Sequence, residues 1–323
     1  MRSGPEGVVG SDQSLDLRRR RDRTGIALVF CVAAVLAAVA LAAGDSWDAF
    51  FGASAGSDPR LALRVVFGWK TWAGVGVLLA LEHRYPADPT QPLFGPSLAR
   101  DLTFTVFKFG AVWWLLYAYL DALISLMDRY LPWLHPAVFD GFPRWLAIVL
   151  SYVVADGVAW WHHWLRHKGV LWRFHAVHHS ATAMNAFTDD RAHPFELFLG
   201  GTIVAIPLFV LTGGASVDVL VVSYLLGWFT RFVHCNIATD LGPLRYVLVT
   251  PRSHWVHHSM EPEHADRNFG VVLSVWDRLF GTHIDVPGEL PRTGVTDRPH
   301  SAAERDDNPV RSFSKLLVAP FVR

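Results

Sequence analysis

The chain alternates long apolar runs with short breaks that carry charge and proline. Ile26 to Ala43 is an 18-residue run without a charge, near the lower end of the ~17–25 residues a spanning helix needs. Leu61 to Leu81 follows with Lys70 inside it and stops at Glu82-His83-Arg84-Tyr85-Pro86. Leu102 to Met127 is a third run, interrupted by Lys108 and Asp121 and rich in aromatics at Trp113, Trp114 and Tyr117. Beyond a loop marked by Pro132, Pro136 and Pro143, Trp145 to Trp161 is the fourth. Phe195 to Leu211 and Val217 to Phe232 are shorter, and Gly213-Gly214 between them suits a tight turn. That pair reads as a hairpin, either fully spanning or re-entrant. The pattern predicts an all-α integral membrane protein with four spanning helices plus a short hydrophobic hairpin.

The flanks differ. Residues 1–25 are rich in Gly, Ser, Asp and Arg without apolar periodicity, and read as a disordered basic N-terminal tail. Residues 26–286 form the membrane-embedded domain, with its chemistry between 156 and 282. Residues 287–323 read as a polar, proline-rich C-terminal tail, weakly amphipathic at Phe313 to Phe321 and suited to a membrane surface. A secretory signal peptide is the rival reading of Ile26 to Ala43, since arginines precede it; the run is long for that role and its leading region oversized.

Composition agrees with a membrane setting: 51% of residues are hydrophobic and 18% charged, against ~25% charged in soluble domains. Formal net charge is zero, which gives no case for a nucleic-acid partner. The basic block Arg18 to Arg21 with Arg23 sets the N-terminus in the cytoplasm by the positive-inside rule. Four crossings then bring the chain back to the cytoplasm before His163. The hairpin leaves and returns before His254. Arg166, Lys168, Arg173, Arg245 and Arg252 fall on that same side. The expected location is the cell inner membrane, active site facing the cytoplasm.

The chemistry lies in the histidines. Nine of 16 fall in four places: His163 and His167; His175, His178 and His179; a lone His234; and His254, His257 and His258. Residues three and four apart share a helix face, so each cluster turns two or three imidazoles toward one point. His-Ala-Val-His-His-Ser and His-Trp-Val-His-His-Ser repeat one pattern, which suggests two metal ions or two halves of one dinuclear site. A pH-responsive surface or an incidental metal-binding tract is the plain alternative, and a single pair would favour it. Two cysteines, Cys31 and Cys235, leave only nitrogen and oxygen ligands. Asp156, seven residues before His163 and on about the same face, reads as a carboxylate that orients a ligand imidazole, or else as the solvated end of the span. Nine histidines exceed the three of a hydrolytic zinc site. A dinuclear iron site using O₂ on an unactivated lipid C–H bond fits better.

Taken together, Asp156…His163-x-x-x-His167, Trp172-Arg173-Phe174-His175-Ala-Val-His178-His179-Ser180, Arg191-Ala-His193-Pro194-Phe-Glu196, His234-Cys-Asn236, Thr250-Pro251-Arg252-Ser-His254-Trp-Val-His257-His258-Ser259, Asn268-Phe-Gly270 and Trp276-Asp277-Arg278-Leu-Phe280-Gly281-Thr282 resemble the fatty acid hydroxylase / sterol desaturase superfamily of membrane di-iron enzymes. The resemblance implies a four-helix membrane core with a cytosolic helical cap that carries the histidines. It implies two Fe ions, O₂ as co-substrate, a lipid substrate from the bilayer, and a separate ferredoxin- or cytochrome-type electron donor with its reductase. The expected product is a hydroxylated or desaturated sterol-like lipid, fatty acyl chain, ether lipid or carotenoid. Carried over residue by residue, it assigns His163, His167, His175, His178, His179, His234, His254, His257 and His258 as ligands. Some members place a further histidine four residues after the isolated one, where this chain has Ala238; Asn236, His193 or a water would then compensate. Asp156, Asn236, His193 and His264 are expected around the ligands, and His162 is expected to be structural. The rivals from other classes are a non-enzymatic metal-binding membrane protein and a membrane zinc hydrolase.

Overall fold

A computed structural model describes residues 68–322 apart from 135–137, 139–140, 213–216 and 289. The N-terminal tail, the Ile26 to Ala43 run, the start of the Leu61 to Leu81 run and the Gly213-Gly214 turn lie outside the described residues. The remainder is helical: α1 (Trp69–Arg84), α2 (Pro96–Phe107), α3 (Trp113–Tyr130), α4 (Arg144–Arg166), α5 (Gly169–His179), α6 (Pro194–Thr212), α7 (Val217–His234), α8 (Pro251–His257), α9 (Val275–Leu279), α10 (Arg298–Glu304) and α11 (Pro309–Val318). Among the described residues there is no strand, only isolated bridges such as Leu248 with Leu273.

Among the described residues, three stretches are long and apolar enough to cross a bilayer: Pro96–Tyr130, Trp145–Arg166 and Pro194–Leu211. The first is α2 and α3 joined through a π turn at Lys108–Val112. Its 35 residues would extend about 50 Å at helical rise, well beyond a hydrocarbon core of ~30 Å. The helix therefore starts earlier than the apolar run from Leu102 suggests, and the added turn carries Arg100 and Asp101. Lys108 sits where the π turn begins, and its Nζ donates to Asp190 Oδ1 at 2.8 Å. The fourth run also extends further than expected, so that His163 stands on the apolar helix itself.

Charges embedded near these helices are paired. Arg191 is fully buried between two carboxylates: its Nε donates to Asp101 Oδ1 at 2.8 Å and its Nη1 to Glu304 Oε2 at 2.6 Å. Arg100 reaches Glu304 as well, at 3.0 Å. Asp190 takes both Lys108 and Arg231. Such pairing is what makes ionisable groups tolerable beside a membrane.

The same network reaches the C-terminal segment. Glu304 ends α10, and α10 and α11 fold back on α2. Phe104, Val177, Ala303 and Leu316 form one buried cluster, with Phe104 and Phe313 rings 4.8 Å apart. The apolar stripe of α11 packs on protein, which accounts for its amphipathic pattern.

Arg191→Met should cost about 3–5 kcal/mol of stability, because it leaves two buried carboxylates without their shared cation. Denaturant unfolding of the detergent-purified protein measures this. An unchanged midpoint would contradict the role given to the pair.

Candidate metal centre

Local sequence explains how the histidine helices meet. Gly169, at φ +53°, closes the turn between α4 and α5 in a conformation that favours glycine; α5 then folds back, bringing His175 within 5.0 Å of His167, ring to ring. α8 starts with Pro251 and a capping box: Thr250 Oγ1 accepts from Ser253 N–H, and Ser253 Oγ accepts from Thr250 N–H.

Two nitrogen groups result. His163, His167, His175, His179 and His257 each place one ring nitrogen within 4.8 Å of the others, and so do His178, His234, His254 and His258. All nine histidines named from the sequence thus fall into these sets. The groups adjoin, since His179 and His258 stack at 4.3 Å. The triads do not each point to one place. In each, the residues four apart stay together, and the one at the third position turns into the other group.

The protons can be placed on most rings. His163 Nδ1 faces the Phe269 carbonyl at 2.8 Å, His257 Nδ1 that of Arg267 at 2.8 Å, and His178 Nδ1 that of Arg191 at 3.1 Å. His234 Nδ1 faces the Thr230 carbonyl at 2.6 Å, and His175 Nδ1 the Glu196 carboxylate at 2.8 Å. Carbonyls and carboxylates only accept, so these Nδ1 atoms carry the proton and each neutral ring presents an Nε2 lone pair. His178 and His234 then set lone pair against lone pair at 3.0 Å. His234 Nε2 also lies 2.9 Å from His254 Nε2. His163, His167 and His257 bury Nε2 with no partner at all. Inward lone pairs without donors are what a cation would satisfy, so the residues fit a nitrogen-ligated metal. Burial, then the neighbouring imidazoles, holds the pKa values of His179, His254 and His258 well below the usual value. Protonation is thereby opposed as a way of relieving the repulsion.

One loop supplies much of the five-histidine group. Asp266 and Asn268 both adopt positive φ, 58° and 56°, which Asp and Asn tolerate better than most residues. Within this loop Asp266 lies 3.5 Å from His167 Nδ1, Arg267 offers its carbonyl to His257, and Phe269 offers its own to His163. Asn268 anchors the loop by donating to the Ser253 and Ile284 carbonyls. Asp277 accepts from the Phe269 and Gly270 N–H groups at 2.8 and 2.7 Å. A β-carbon on Gly270 would lie 2.7 Å from Val249 and 2.8 Å from Asp277 Oδ2.

The expected supporting residues fare differently. Asp156 does not orient an imidazole: it accepts from Val272 N–H, Leu273 N–H and the Trp276 indole. Seven residues are about 10 Å along a helix, so its carboxylate stands two turns from His163 and braces the loop instead. Asn236 accepts from the Ala87 and Asp88 N–H groups and donates to Asp88 O, so it ties the segment after α1 to the one after α7 and is spent there. His193 lies outside both groups, between the rings of Phe174 and Phe321, with Nδ1 accepting from Phe195 N–H. His264 meets the Ser259 hydroxyl at 2.8 Å, next to His258. Ala238 lies beyond the end of α7 and donates to the Tyr85 carbonyl. His162 packs against Gly200 of α6.

Glu196 belongs to a motif quoted from the sequence, but no role was assigned to it there. It is buried, bonds His175, and is itself held by the guanidinium of Arg166. An acid at the very start of an apolar helix was the available signal.

Residues 148–282 match the fatty acid hydroxylase family, and this match together with the relatives below supports the fatty acid hydroxylase / sterol desaturase superfamily. It is similar to an ornithine lipid hydroxylase of Rhizobium tropici, 34% identical over 46% of this chain and 45% of that protein. It is similar to an alkylglycerol monooxygenase of Danio rerio, 34% identical over 50% of this chain and 35% of the other. A very-long-chain aldehyde decarbonylase of Oryza sativa subsp. indica is 28% identical over 46% of this chain and 25% of its own. The chain thus spans less than half the length of these curated relatives. No solved structure matches.

Two outcomes follow from this geometry. Glu196→Gln should weaken metal retention by about 10–100-fold, the usual cost of losing the partner of a ligand histidine; chelator competition measures it, and wild-type retention would remove Glu196 from the site. The metal-free protein should lose stability as pH falls below about 6.5, because the unfolded histidines then take up protons that the folded ones, with their lowered pKa values, refuse. Melting temperatures from pH 8 to pH 5 check this, and a flat profile would contradict it.

Proposed function

We propose that this protein is a membrane-bound di-iron oxygenase that hydroxylates an unactivated C–H bond of a bilayer lipid. The reaction consumes O₂, two electrons and two protons for each alcohol and water formed. The observation that carries the reading is the pair of adjoining nitrogen groups, five and four histidines, built from the ends of α4 and α7 and the short helices α5 and α8. A hydrolytic zinc site needs three ligands and an open position, which this set far exceeds. A transporter would hold its ionisable groups near the middle of the membrane, whereas these histidines stand at the ends of α4 and α7 and on the short helices α5 and α8. Of the three relatives described above, a hydroxylase and a monooxygenase carry oxygen insertion in their names, which supports hydroxylation over desaturation.

Iron supplies the redox power toward O₂ that side chains lack. The chain's own residues do the rest. His163, His167, His175, His179 and His257 would hold one ion, and His178, His234, His254 and His258 the other. The Phe269, Arg267, Arg191 and Thr230 carbonyls and Glu196 keep the protons on Nδ1, so Nε2 stays a free donor toward metal. Phe269, fully buried, lies against the rings of His163, His167 and His257 and keeps water from that side. Electrons come from a separate ferredoxin- or cytochrome-type donor. Arg166, Lys168, Arg173, Arg245 and Arg252 near the site support a cytoplasmic orientation in the inner membrane.

The test combines elemental analysis with a turnover assay under ¹⁸O₂ on membrane lipids, with a reductase and electron carrier added. We expect about two irons per chain, as an all-imidazole dinuclear site implies, and one ¹⁸O in the lipid product. His179→Ala should abolish both. One zinc without iron, or product formed without O₂, would overturn the reading.

A further inference from the structure

A second feature lies on the far side of α8 from the histidines. Arg252, Ser253 and Val256 of that helix, with Arg278 of α9 and the 283–286 segment, line a shallow cleft open to solvent. The arginines fall into two kinds, those paired with carboxylates and those, such as Arg173 and Arg267, that donate to backbone carbonyls. Arg100, Arg166, Arg191 and Arg231 are each paired with a carboxylate. Arg252 instead donates to the Val286 and Gly288 carbonyls, both at 2.7 Å, and Arg278 to the Arg245 carbonyl at 3.2 Å. Neither has a carboxylate partner among the described residues. Carbonyls fix a guanidinium without cancelling its charge. Asp240 and Asp285 also line the cleft, and Arg245 answers Asp240 at 2.9 Å.

An apolar strip adjoins this charge. Tyr246 lies under both Arg245 and Arg278, each 5.3 Å from its ring centre, and is 56% exposed. Val247 is bonded through its carbonyl to Ser274, at the start of α9, and Val275 and Leu279 share a face of that helix, Leu279 being 67% exposed. Phe280 stacks on Trp160 at 4.4 Å and meets Trp161 at 5.3 Å. Both tryptophans belong to a stretch apolar enough to cross the bilayer, and Trp161 is 51% exposed. The strip thus continues the surface of a spanning helix, and arginines edge it where that helix ends. Amphipathic aromatic rings and cations in that order are what a bilayer interface selects.

We propose that the cleft lined by Arg252 and Arg278 binds the phosphate of an anionic bilayer phospholipid whose acyl chains lie along the strip from Tyr246 to Trp161. The site stands apart from the histidine groups. It is linked to them through Asp277, on the same short helix as Arg278, which holds the loop that carries the Phe269 carbonyl.

The test is native mass spectrometry of the full-length, metal-loaded protein titrated with phosphatidylglycerol or with phosphatidylcholine of the same chains. Wild type should retain phosphatidylglycerol preferentially. R278Q should cut that preference about fivefold, the size expected for one basic residue near an anionic surface, and R252Q/R278Q should abolish it, with melting temperature and metal content unchanged. L279S should weaken both lipids alike. R292Q and R311Q, outside the cleft, should leave the preference intact. If the double variant does not fold, R278Q alone decides, because its arginine bonds only one carbonyl. Equal retention of the two lipids by wild type, an unchanged preference in R278Q, or an equal loss in R311Q would overturn the proposal.

Discussion

Nine imidazoles brought together in a dry site create the constraint on which this molecule depends. Each must be neutral, because burial opposes protonation. Wherever Nδ1 is bonded to a carbonyl or carboxylate, the Nε2 lone pair must point inward at other lone pairs. Without a cation the arrangement repels itself, so the protein has to hold the rings against one another. Its means are backbone carbonyls and carboxylates behind the rings, fixed by structure that is not itself part of the site.

That supporting structure is built from two buried acids. Asp156 on α4 takes two backbone N–H groups and an indole; Asp277 on α9 takes two N–H groups, the Trp160 indole and the Thr282 hydroxyl. Between them they clamp residues 269–273, and the loop just ahead turns Asp266, Arg267 and Phe269 toward three different histidines. A second scaffold, Arg191 with Asp101 and Glu304, joins α2, the loop after α5 and α10. Arg191 also offers its carbonyl to His178, so this ion pair and the histidine groups are joined through one residue.

Much of the site was legible in the sequence, because histidine spacing is a local property that helical geometry converts into faces. The nine histidines, and the set of motifs around them, needed no tertiary information. The split of each triad between two groups was only half legible. Residues four apart lie 40° apart around a helix and those three apart lie 60° the other way, so a parting is implied; which group each joins depends on how α4, α5, α7 and α8 meet. The places of Asp156 and Asn236 were not legible, because their partners lie 116 and 149 residues away in sequence. Glu196 escaped because an acid opening a helix looks like an ordinary end-of-helix charge until His175 is seen behind it. The C-terminal segment looked like a tail because its apolar stripe is short, and nothing local reveals that Phe104 lies opposite it.

The central claim is that the nine histidines form two neighbouring metal positions, one with five nitrogens and one with four. Anomalous diffraction at the iron edge, on crystals of the iron-loaded protein, tests it most directly. The account predicts two peaks, one among His163, His167, His175, His179 and His257 and the other among His178, His234, His254 and His258. A single peak, or a metal held by either triad alone, would contradict it.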